Sequence, residues 1–367
     1  MSTLRSRFAN QSDPVRDDRL EEMTGFGANP GNLIARTYRP ESLAEGAPLV
    51  VVLHGCTQSA GSYNRGAGWT SAADENGFAL LFPEQQRANN PNLCFNWFAP
   101  TDTKRGSGEA ASISQMVQTF CERHALDPAR VFITGLSAGG AMTAAMLASY
   151  PELFAGGAVI GGLPVGTAST VPEAFERMRG QAAFRPGQLA ELIRSASTHQ
   201  GDWPTLSVWH GSSDATVDAS NAAALVEQWR GLHGVEAAPT TTDRIGNHLR
   251  RAWSNRDGIE VIEEYVIPGM GHGTPIHAVA ANQGEEVGPY MLDVGISSTR
   301  RLIAFWKLDG ERPSVRKAAS PNVTQTRELA AMAPVRRPSR PQSRQPVASS
   351  KVQDVIEKAL RTAGLMK

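Results

Sequence analysis

The sequence predicts an α/β fold in which a mostly parallel central sheet is flanked by helices. Three observations predict it. Short apolar segments alternate along the chain with segments of helical periodicity. Several apolar segments have no polar interruption, such as Leu-Val-Val-Val-Leu at residues 49–53, which is typical of strands buried on both faces. The 367 residues, 41% of them hydrophobic, are enough to build a large core.

Six segments have the composition of buried strands and four have the periodicity of long helices. The predicted strands are residues 48–54, 78–82, 130–134, 154–160, 205–210 and 259–267. The predicted helices are residues 109–124, 138–149, 221–232 and 298–306. Since strands alternate with helices, we expect most strands to run parallel and the helices to cover the sheet.

A long insertion, residues 161–204, separates the fourth predicted strand from the fifth. It contains helical pieces at 172–178 and 187–196 but no strand pattern. In an α/β core such an insertion either lies over the site as a lid-like element or decorates the surface. The sequence leaves both interpretations open.

Charge and composition divide the chain into three parts. Residues 1–310, the expected α/β domain, have 24 basic and 32 acidic side chains, whereas residues 311–350 have eight basic and two acidic ones. The second part is also rich in Pro and Ser, which predicts a basic disordered linker. In residues 351–367 apolar side chains recur at helical spacing, so we expect a short amphipathic C-terminal helix.

Composition also limits the partners. No aromatic side chains interleave with the arginines of the linker, so nucleic-acid binding is not expected; contact with an anionic surface or with the acidic domain is the alternative to a solvated linker. No window reaches the ~18 apolar residues of a membrane span. The first residues are not followed by an apolar h-region, which predicts a cytoplasmic protein, with secretion as the alternative.

The cysteines argue against a thiolate metal site. The three cysteines, Cys56, Cys94 and Cys121, include no C-x-x-C pair, so no thiolate-bound metal is expected. Cys121 falls on the apolar face of the helix at 109–124 and is expected to pack in the core.

Residues 130–142 combine a strand, a sharp turn flanked by glycines, and a helix. The turn Gly135-Leu136-Ser137-Ala138-Gly139 has the G-x-S-x-G pattern of a nucleophile elbow. Small neighbours let strand and helix pack closely around a serine exposed on a strained turn. The pattern predicts Ser137 as the nucleophile of an α/β-hydrolase; the alternative is a tight turn whose serine only caps the helix.

The base and the acid should follow the serine in chain order. His272, in a Gly-Met-Gly-His-Gly loop after the last predicted strand, is the expected base. His277 is its nearest competitor. Three further histidines, which we assign to helical or polar loop contexts, are His199, His233 and His248.

Asp214 is the expected acid because it lies in the loop directly after a buried strand, where it can orient the imidazole. Asp218 is the alternative, although it is more simply the N-cap of the next helix. The oxyanion should be held by the N–H of Ala138 and by the N–H of Cys56 in the loop after an early strand. A catalytic cysteine at Cys56 is disfavoured because the serine has the better context, and His54 is expected to be structural.

Four motifs together resemble the polyhydroxybutyrate depolymerase esterase family over roughly residues 25–308. They are His54-Gly55-Cys56-Thr57-Gln58, Gly135-Leu136-Ser137-Ala138-Gly139-Gly140, Trp209-His210-Gly211 with Asp214, and Gly269-Met270-Gly271-His272. The resemblance implies the triad Ser137, Asp214 and His272, the oxyanion donors Cys56 and Ala138, and no metal or organic cofactor.

The resemblance also implies two features around the site. One is a disulfide between Cys56 and Cys94, which a cytosolic location would leave reduced. The other is a substrate cleft walled by Trp97, Phe98 and Trp209, for which the alternative role is core packing.

The expected reaction is ester hydrolysis through an acyl-enzyme. The resemblance implies a polyester or oligoester of short hydroxy acids as the substrate, with a feruloyl or acetylxylan ester as the alternative. A catalytically inactive binding or scaffold protein with the same fold is the rival from another class.

Overall fold

A computed structural model describes residues 19–181, 183–279 and 284–309 of the chain. The predicted linker (311–350) and C-terminal helix (351–367) lie outside these residues, so both stay predictions. Among the described residues, no helix is both long enough and apolar enough to cross a membrane.

Strands and helices alternate along the described chain. The strands are β1 (Glu21–Met23), β2 (Ile34–Tyr38), β3 (Leu49–Leu53), β4 (Ala79–Glu84), β5 (Val131–Leu136), β6 (Gly156–Ile160), β7 (Thr205–Gly211), β8 (Thr241–Ile245), β9 (His248–Ser254), β10 (Glu260–Ile267), β11 (Thr274–Ile276) and β12 (Met291–Asp293). The helices are α1 (Ala60–Ala67), α2 (Trp69–Asn76), α3 (Pro100–Thr103), α4 (Gly108–His124), α5 (Ala138–Ser149), α6 (Val171–Met178), α7 (Gln188–Arg194), α8 (Ser220–His233) and α9 (Ser298–Phe305), with a 3₁₀ turn at Pro151–Leu153.

Ten of these strands form one sheet in the order β1-β2-β4-β3-β5-β6-β7-β10-β9-β8. The six central strands, from β4 to β10 in this order, pair in parallel. The outer strands are antiparallel. Strands β11 and β12 form a separate parallel pair. The parallel centre confirms the predicted fold class.

All six predicted strands and all four predicted long helices are present, and each observed boundary lies within two residues of the predicted one. The sequence analysis missed the antiparallel strands. Strand β8 has four exposed side chains out of five, and β2 is only half buried, so neither has the continuous apolar composition of a central strand. It also missed α1, whose sequence contains two glycines and whose start is fixed by a capping box between Ser59 and Ser62.

The insertion at 161–204 folds as α6 and α7. Thr170 caps the N-terminus of helix α6, and its side chain accepts a hydrogen bond from the Glu173 N–H. Its C-terminal end is joined to the loop after β7, because the Asp218 N–H donates to the Met178 carbonyl at 2.7 Å and the Asn221 side chain donates to the Arg177 carbonyl at 2.9 Å. The end of α6 therefore lies at the carboxyl edge of the sheet, where α/β folds place their sites.

Candidate active site

The turn between β5 and α5 holds Ser137 in a strained backbone conformation, with φ 58° and ψ −120°. Two glycines make this turn sterically feasible. A Cβ at Gly135 would lie 2.5 Å from the Gly139 carbonyl carbon, and a Cβ at Gly139 would lie 2.5 Å from the carbonyl oxygens of Leu53 and His54. Strand and helix thus approach too closely for any side chain, while Ser137 itself stays partly exposed.

The loops after β7 and β10 bring Asp214 and His272 together. The two strands are parallel neighbours, so both loops leave the same edge of the sheet. The His272 Nδ1 lies 2.7 Å from the Asp214 Oδ2. The loops are also joined through their backbones, since the Ser213 N–H donates to the Met270 carbonyl at 3.0 Å. A Cβ at Gly211 would overlap the carbonyl oxygens of Met270 and Gly271.

Asp214 is held as a carboxylate by the groups around it. Its side chain is 1% exposed, its Oδ1 accepts the N–H groups of Thr216 and Val217 at 2.9 Å, and its Oδ2 faces His272 and also His210, the latter at 3.4 Å. Burial acts to raise the pKa of Asp214, but the hydrogen bonds from His210 and His272 outweigh it and keep the pKa well below its usual range. The anion can therefore fix the imidazole tautomer in which Nδ1 carries a proton.

Residues 160–161 connect the serine turn with the imidazole. The Ser137 N–H donates to the Ile160 carbonyl at 2.9 Å. Gly161 follows in the left-handed region, φ +53°, and a Cβ built on it would lie 3.3 Å from the His272 Cε1. The three residues predicted from chain order thus converge on one place. The sequence analysis did not single out Gly161, although the Gly-Gly pair directly after β6 was a signal for a close approach.

The two predicted oxyanion donors lie in the loop after β3 and at the first residue of α5, which follows β5. Strands β3 and β5 are neighbours in the sheet. Within the described part of the chain, no hydrogen bond uses the N–H of Cys56 or of Ala138. The turn before Cys56 is fixed by Gln58, whose side chain accepts the Gly55 N–H at 2.9 Å. Both N–H groups can therefore donate to an incoming oxyanion.

A disulfide joins Cys56 to Cys94 and links the loop after β3 to the segment containing Trp97 and Phe98. This is the pairing that the family resemblance implied. Cys121 is a buried thiol in the core on α4, where burial raises its pKa to about 11.

His54 occupies the end of β3 as a structural residue. Its Nε2 accepts the Gln85 N–H at 3.1 Å, and its Nδ1 lies 2.8 Å from the Gly55 carbonyl oxygen. Burial lowers the pKa of His54, so the imidazole is neutral, with the proton on Nδ1.

The competing residues face other partners. The Asp218 carboxylate accepts the Ser220 N–H at 2.9 Å just before α8. The N-cap residue of α8 is Ala219, so the predicted N-cap role of Asp218 is wrong by one residue. The backbone of His277 donates to Glu285. The remaining histidines lie against carbonyl oxygens, those of Asp202 for His199, Pro204 for His233 and Val294 for His248. His248 opens strand β9 and does not lie in a helix or loop, which corrects its predicted context.

Of the three aromatic residues predicted to line the cleft, Trp209 lies in the core instead. Trp209 is 0% exposed and stacks on Tyr265 with ring centroids 3.7 Å apart, while its Nε1 donates to the Ser207 Oγ at 2.8 Å. The predicted cleft role of Trp209 is therefore wrong and the core alternative is right. Because both faces of β7 are buried, residue alternation along this strand cannot distinguish cleft from core.

Trp97 and Phe98 are both partly exposed and pack edge to face, with centroids 5.7 Å apart. Trp97 contacts an apolar cluster, here called the cleft floor, which consists of Ala141, Leu163 and Val217. Each floor residue is close in the chain to a triad residue or to Gly161. Met178 at the end of α6 packs on the same floor and was not predicted.

A parallel α/β sheet with a serine in a strained elbow and a buried Asp–His pair at its carboxyl edge defines the class of α/β-hydrolase serine hydrolases. The family model described as "Esterase PHB depolymerase" matches residues 34–252. The chain belongs to this family and is a carboxylic ester hydrolase.

Similar proteins are esterases with different substrates in their names. The chain is 42% identical over 293 residues to poly(3-hydroxyalkanoate) depolymerase C of Paucimonas lemoignei, covering 79% of this chain and 70% of the relative. It is 30% identical over 263 residues to an acetylxylan esterase of Coprinopsis cinerea, covering 70% and 69%. Among solved structures, an acetyl xylan esterase from Aspergillus awamori superposes with a TM-score of 0.67 at 25% identity, over 79% of this chain and 99% of that one.

Proposed function

We propose that the chain hydrolyses a polyester or oligoester of short hydroxy acids, with Ser137 as the nucleophile, His272 as the base and Asp214 as the acid. One observation carries the assignment of roles: the buried Asp214–His272 pair, joined at 2.7 Å, lies against Gly161, next to the residue that accepts the Ser137 N–H.

Acylation begins when His272 removes the Ser137 proton as the hydroxyl oxygen attacks the ester carbonyl carbon. The carbonyl oxygen becomes an oxyanion that accepts hydrogen bonds from the Cys56 and Ala138 N–H groups. The imidazolium is stabilised by Asp214 and returns its proton to the leaving alcohol as the C–O bond breaks. Water then attacks the acyl-enzyme by the same route, which releases the acid and restores Ser137.

The polyester assignment is supported by similarity and by the cleft. The 42% identical relative is named as a poly(3-hydroxyalkanoate) depolymerase. The partly exposed side chains next to the cleft floor are those of Trp97 and Met178, which give an apolar surface to an aliphatic chain. The acetylxylan alternative is supported by the 30% identical relatives, so the substrate needs a direct test.

The proposed nucleophile is tested with a fluorophosphonate probe. The wild-type protein should be labelled at one serine, and Ser137→Ala should abolish labelling. Ser195→Ala is the matched control. Ser195 is an exposed residue at the C-terminal end of α7, and its hydroxyl donates to the Leu192 carbonyl. An unlabelled wild-type protein would favour the inactive scaffold.

The substrate is tested with a panel of hydroxybutyrate oligomers, acetylated xylo-oligosaccharides and feruloylated sugars at equal ester concentration. We expect kcat/KM to be highest for the hydroxybutyrate oligomers. A preference for either sugar ester would replace the polyester assignment with a carbohydrate esterase.

We also propose that the protein works in an oxidising compartment, which the Cys56–Cys94 disulfide supports, since cytosolic thiols stay reduced. Mass spectrometry of protein alkylated in its native cells measures the redox state. Two alkylated thiols at Cys56 and Cys94 would instead support a cytosolic protein.

The division of the chain into residues 1–310, 311–350 and 351–367 is likewise a proposal, supported by the change from an acidic to a basic composition. We propose that the basic part contacts an anionic surface. Limited proteolysis should cut first within 311–350, and the protein should co-sediment with anionic vesicles at low salt but not at high salt. Absence of co-sedimentation at low salt would contradict this contact.

A further inference from the structure

Glu109, at the start of α4, is a buried carboxylate that the proposed mechanism does not use. The residue is 1% exposed. Its Oε1 accepts the side-chain amides of Gln85 at 2.6 Å and Asn96 at 2.7 Å, and its Oε2 accepts the Asn96 backbone N–H at 2.8 Å. A buried charge that accepts three hydrogen bonds is costly unless these contacts are all made.

The donors belong to the segment that forms one side of the proposed cleft. Asn96 directly precedes Trp97, whose ring packs on the cleft floor. Gln85 also donates to the Cys94 carbonyl at 3.1 Å, and Cys94 is bonded to Cys56, whose N–H is a proposed oxyanion donor. Glu109 therefore accepts hydrogen bonds from Asn96, which adjoins Trp97, and from Gln85. Gln85 in turn also donates to Cys94, the disulfide partner of Cys56.

The two amides are fixed in orientation by other contacts. The Gln85 Oε1 accepts the Gln86 N–H at 2.9 Å and the Asn89 side chain at 2.7 Å, and the Asn96 Oδ1 accepts the Asn90 side chain at 3.1 Å. Rotating either amide to suit a new partner would break these bonds. The site thus favours a charged acceptor at both oxygens of Glu109, which a carboxylate supplies, whereas an amide nitrogen cannot accept and a carboxyl O–H accepts much more weakly.

We propose that Glu109 is a positioning residue for ester hydrolysis: its carboxylate holds the segment of Cys94, Asn96 and Trp97 in the geometry that binds the substrate. This proposal rests on the proposed function, since it assigns Trp97 to the substrate cleft. It predicts that loss of the charge raises KM for a substrate that reaches Trp97.

The charge of Glu109 changes within an accessible pH range. Burial raises the pKa of Glu109 to about 7, the Asp102 carboxylate adds to the rise, and the three hydrogen bonds oppose it. The Asp102 carboxylate faces Glu109 from α3. The side chains of Gln85 and Asn96, which also contact Glu109, carry no charge. The residues at 29–33 that pack on the helix backbone, and helix α5, contain no ionisable side chain. Strand β4 also packs on α4, and its one ionisable residue, Glu84, faces Arg36 and the Ala60 N–H.

Glu109→Gln tests the proposal because a glutamine imitates the protonated carboxyl at every pH. With a hydroxybutyrate oligomer, we expect kcat/KM of the variant to be about tenfold below wild type at about pH 8.5, mainly through KM, as for one lost hydrogen bond to a charged group. Below about pH 6 the ratio should approach one, since wild-type Glu109 is then protonated too. A ratio independent of pH would overturn the proposal, since a purely structural role predicts that result.

Glu263→Gln is the matched control. Glu263 is an equally buried carboxylate on β10 with a raised pKa, but it contacts Ser207 and Arg250, away from the cleft segment. Its replacement should lower thermal stability and leave the ratio to wild-type kcat/KM the same at all pH values.

If Glu109→Gln fails to fold, Asn96→Ala provides the test, because it removes one donor to the carboxylate and keeps the backbone N–H. It should raise KM for the oligomer about fivefold or more. An unchanged KM would overturn the proposal. Absence of labelling in the wild type would instead defeat the proposed function, so the two failures are distinguishable.

Discussion

Two regions of the molecule meet at the site and are held by different means. The catalytic edge, defined as the turns after β5, β7 and β10, is fixed by backbone contacts and by glycines that permit close approach. The cleft wall, defined as residues 85–98 with the end of α6, is fixed mainly by side chains: a disulfide, the Glu109 carboxylate and packing on the cleft floor. This difference suggests that changes at the edge affect the chemical step, and changes in the wall affect substrate binding.

The largest expected effect separates two aspartates of the edge. Asp214→Asn should lower kcat by roughly 10³- to 10⁴-fold with little change in KM, because an amide cannot stabilise the imidazolium and favours the wrong tautomer of His272. Asp218→Asn, four residues along in the same loop, should keep kcat near wild type, since the asparagine side-chain oxygen can accept the Ser220 N–H as well. Equal losses of kcat in the two variants would show that kcat depends on the conformation of this loop and not on the charge of Asp214.

The disulfide provides the next contrast. Cys56 and Cys94 are 38 residues apart, so replacing both with alanine should lower the free energy of unfolding by about 4 kcal/mol in the loop-closure treatment. The Cys56 N–H is a backbone group and remains. We therefore expect KM for an oligoester to rise more than kcat falls, and reductant to have no further effect on the double variant. A large fall in kcat at unchanged KM would show that the disulfide supports the chemical step and not substrate binding.

Close packing at the edge is tested by Gly139→Ala. The added Cβ would lie 2.5 Å from the carbonyl oxygens of Leu53 and His54 at the end of β3, so strand and helix must separate. We expect thermal unfolding to show a loss of about 3 kcal/mol, typical of overpacking against rigid backbone. Gly288→Ala is the control, because a Cβ there meets no heavy atom within 4 Å.

The same contrast explains what the sequence could predict. The central strands, the long helices and the order of Ser137, Asp214 and His272 follow from apolar periodicity and from glycine-flanked motifs, which are local in the chain. The role of Glu109 depends on amides 24 and 13 residues away, and the burial of Trp209 depends on Tyr265 in a neighbouring strand. Such contacts are set by tertiary packing, which has no local signal in a strand buried on both faces.

The smallest expected effect is that of replacing Met178, the residue through which the insertion at 161–204 contributes to the cleft wall. Its side chain packs on the cleft floor, and its carbonyl is fixed by the Asp218 N–H at 2.7 Å, so the helix end should stay in place when the side chain is shortened. Met178→Ala then removes apolar contact area from the cleft without moving the acid loop. About 1 kcal/mol of lost contact corresponds to a roughly fivefold higher KM.

We expect this rise in KM for a hydroxybutyrate trimer, while a short activated ester that does not reach α6 should show the wild-type kcat and KM. Glu176→Ala is the matched control, because Glu176 lies on the exposed side of the same helix, and it should leave both substrates unaffected. An equal rise in KM for the short ester would mean that Met178 acts by supporting the Asp214 loop, and would move the end of α6 from the cleft wall to the catalytic edge.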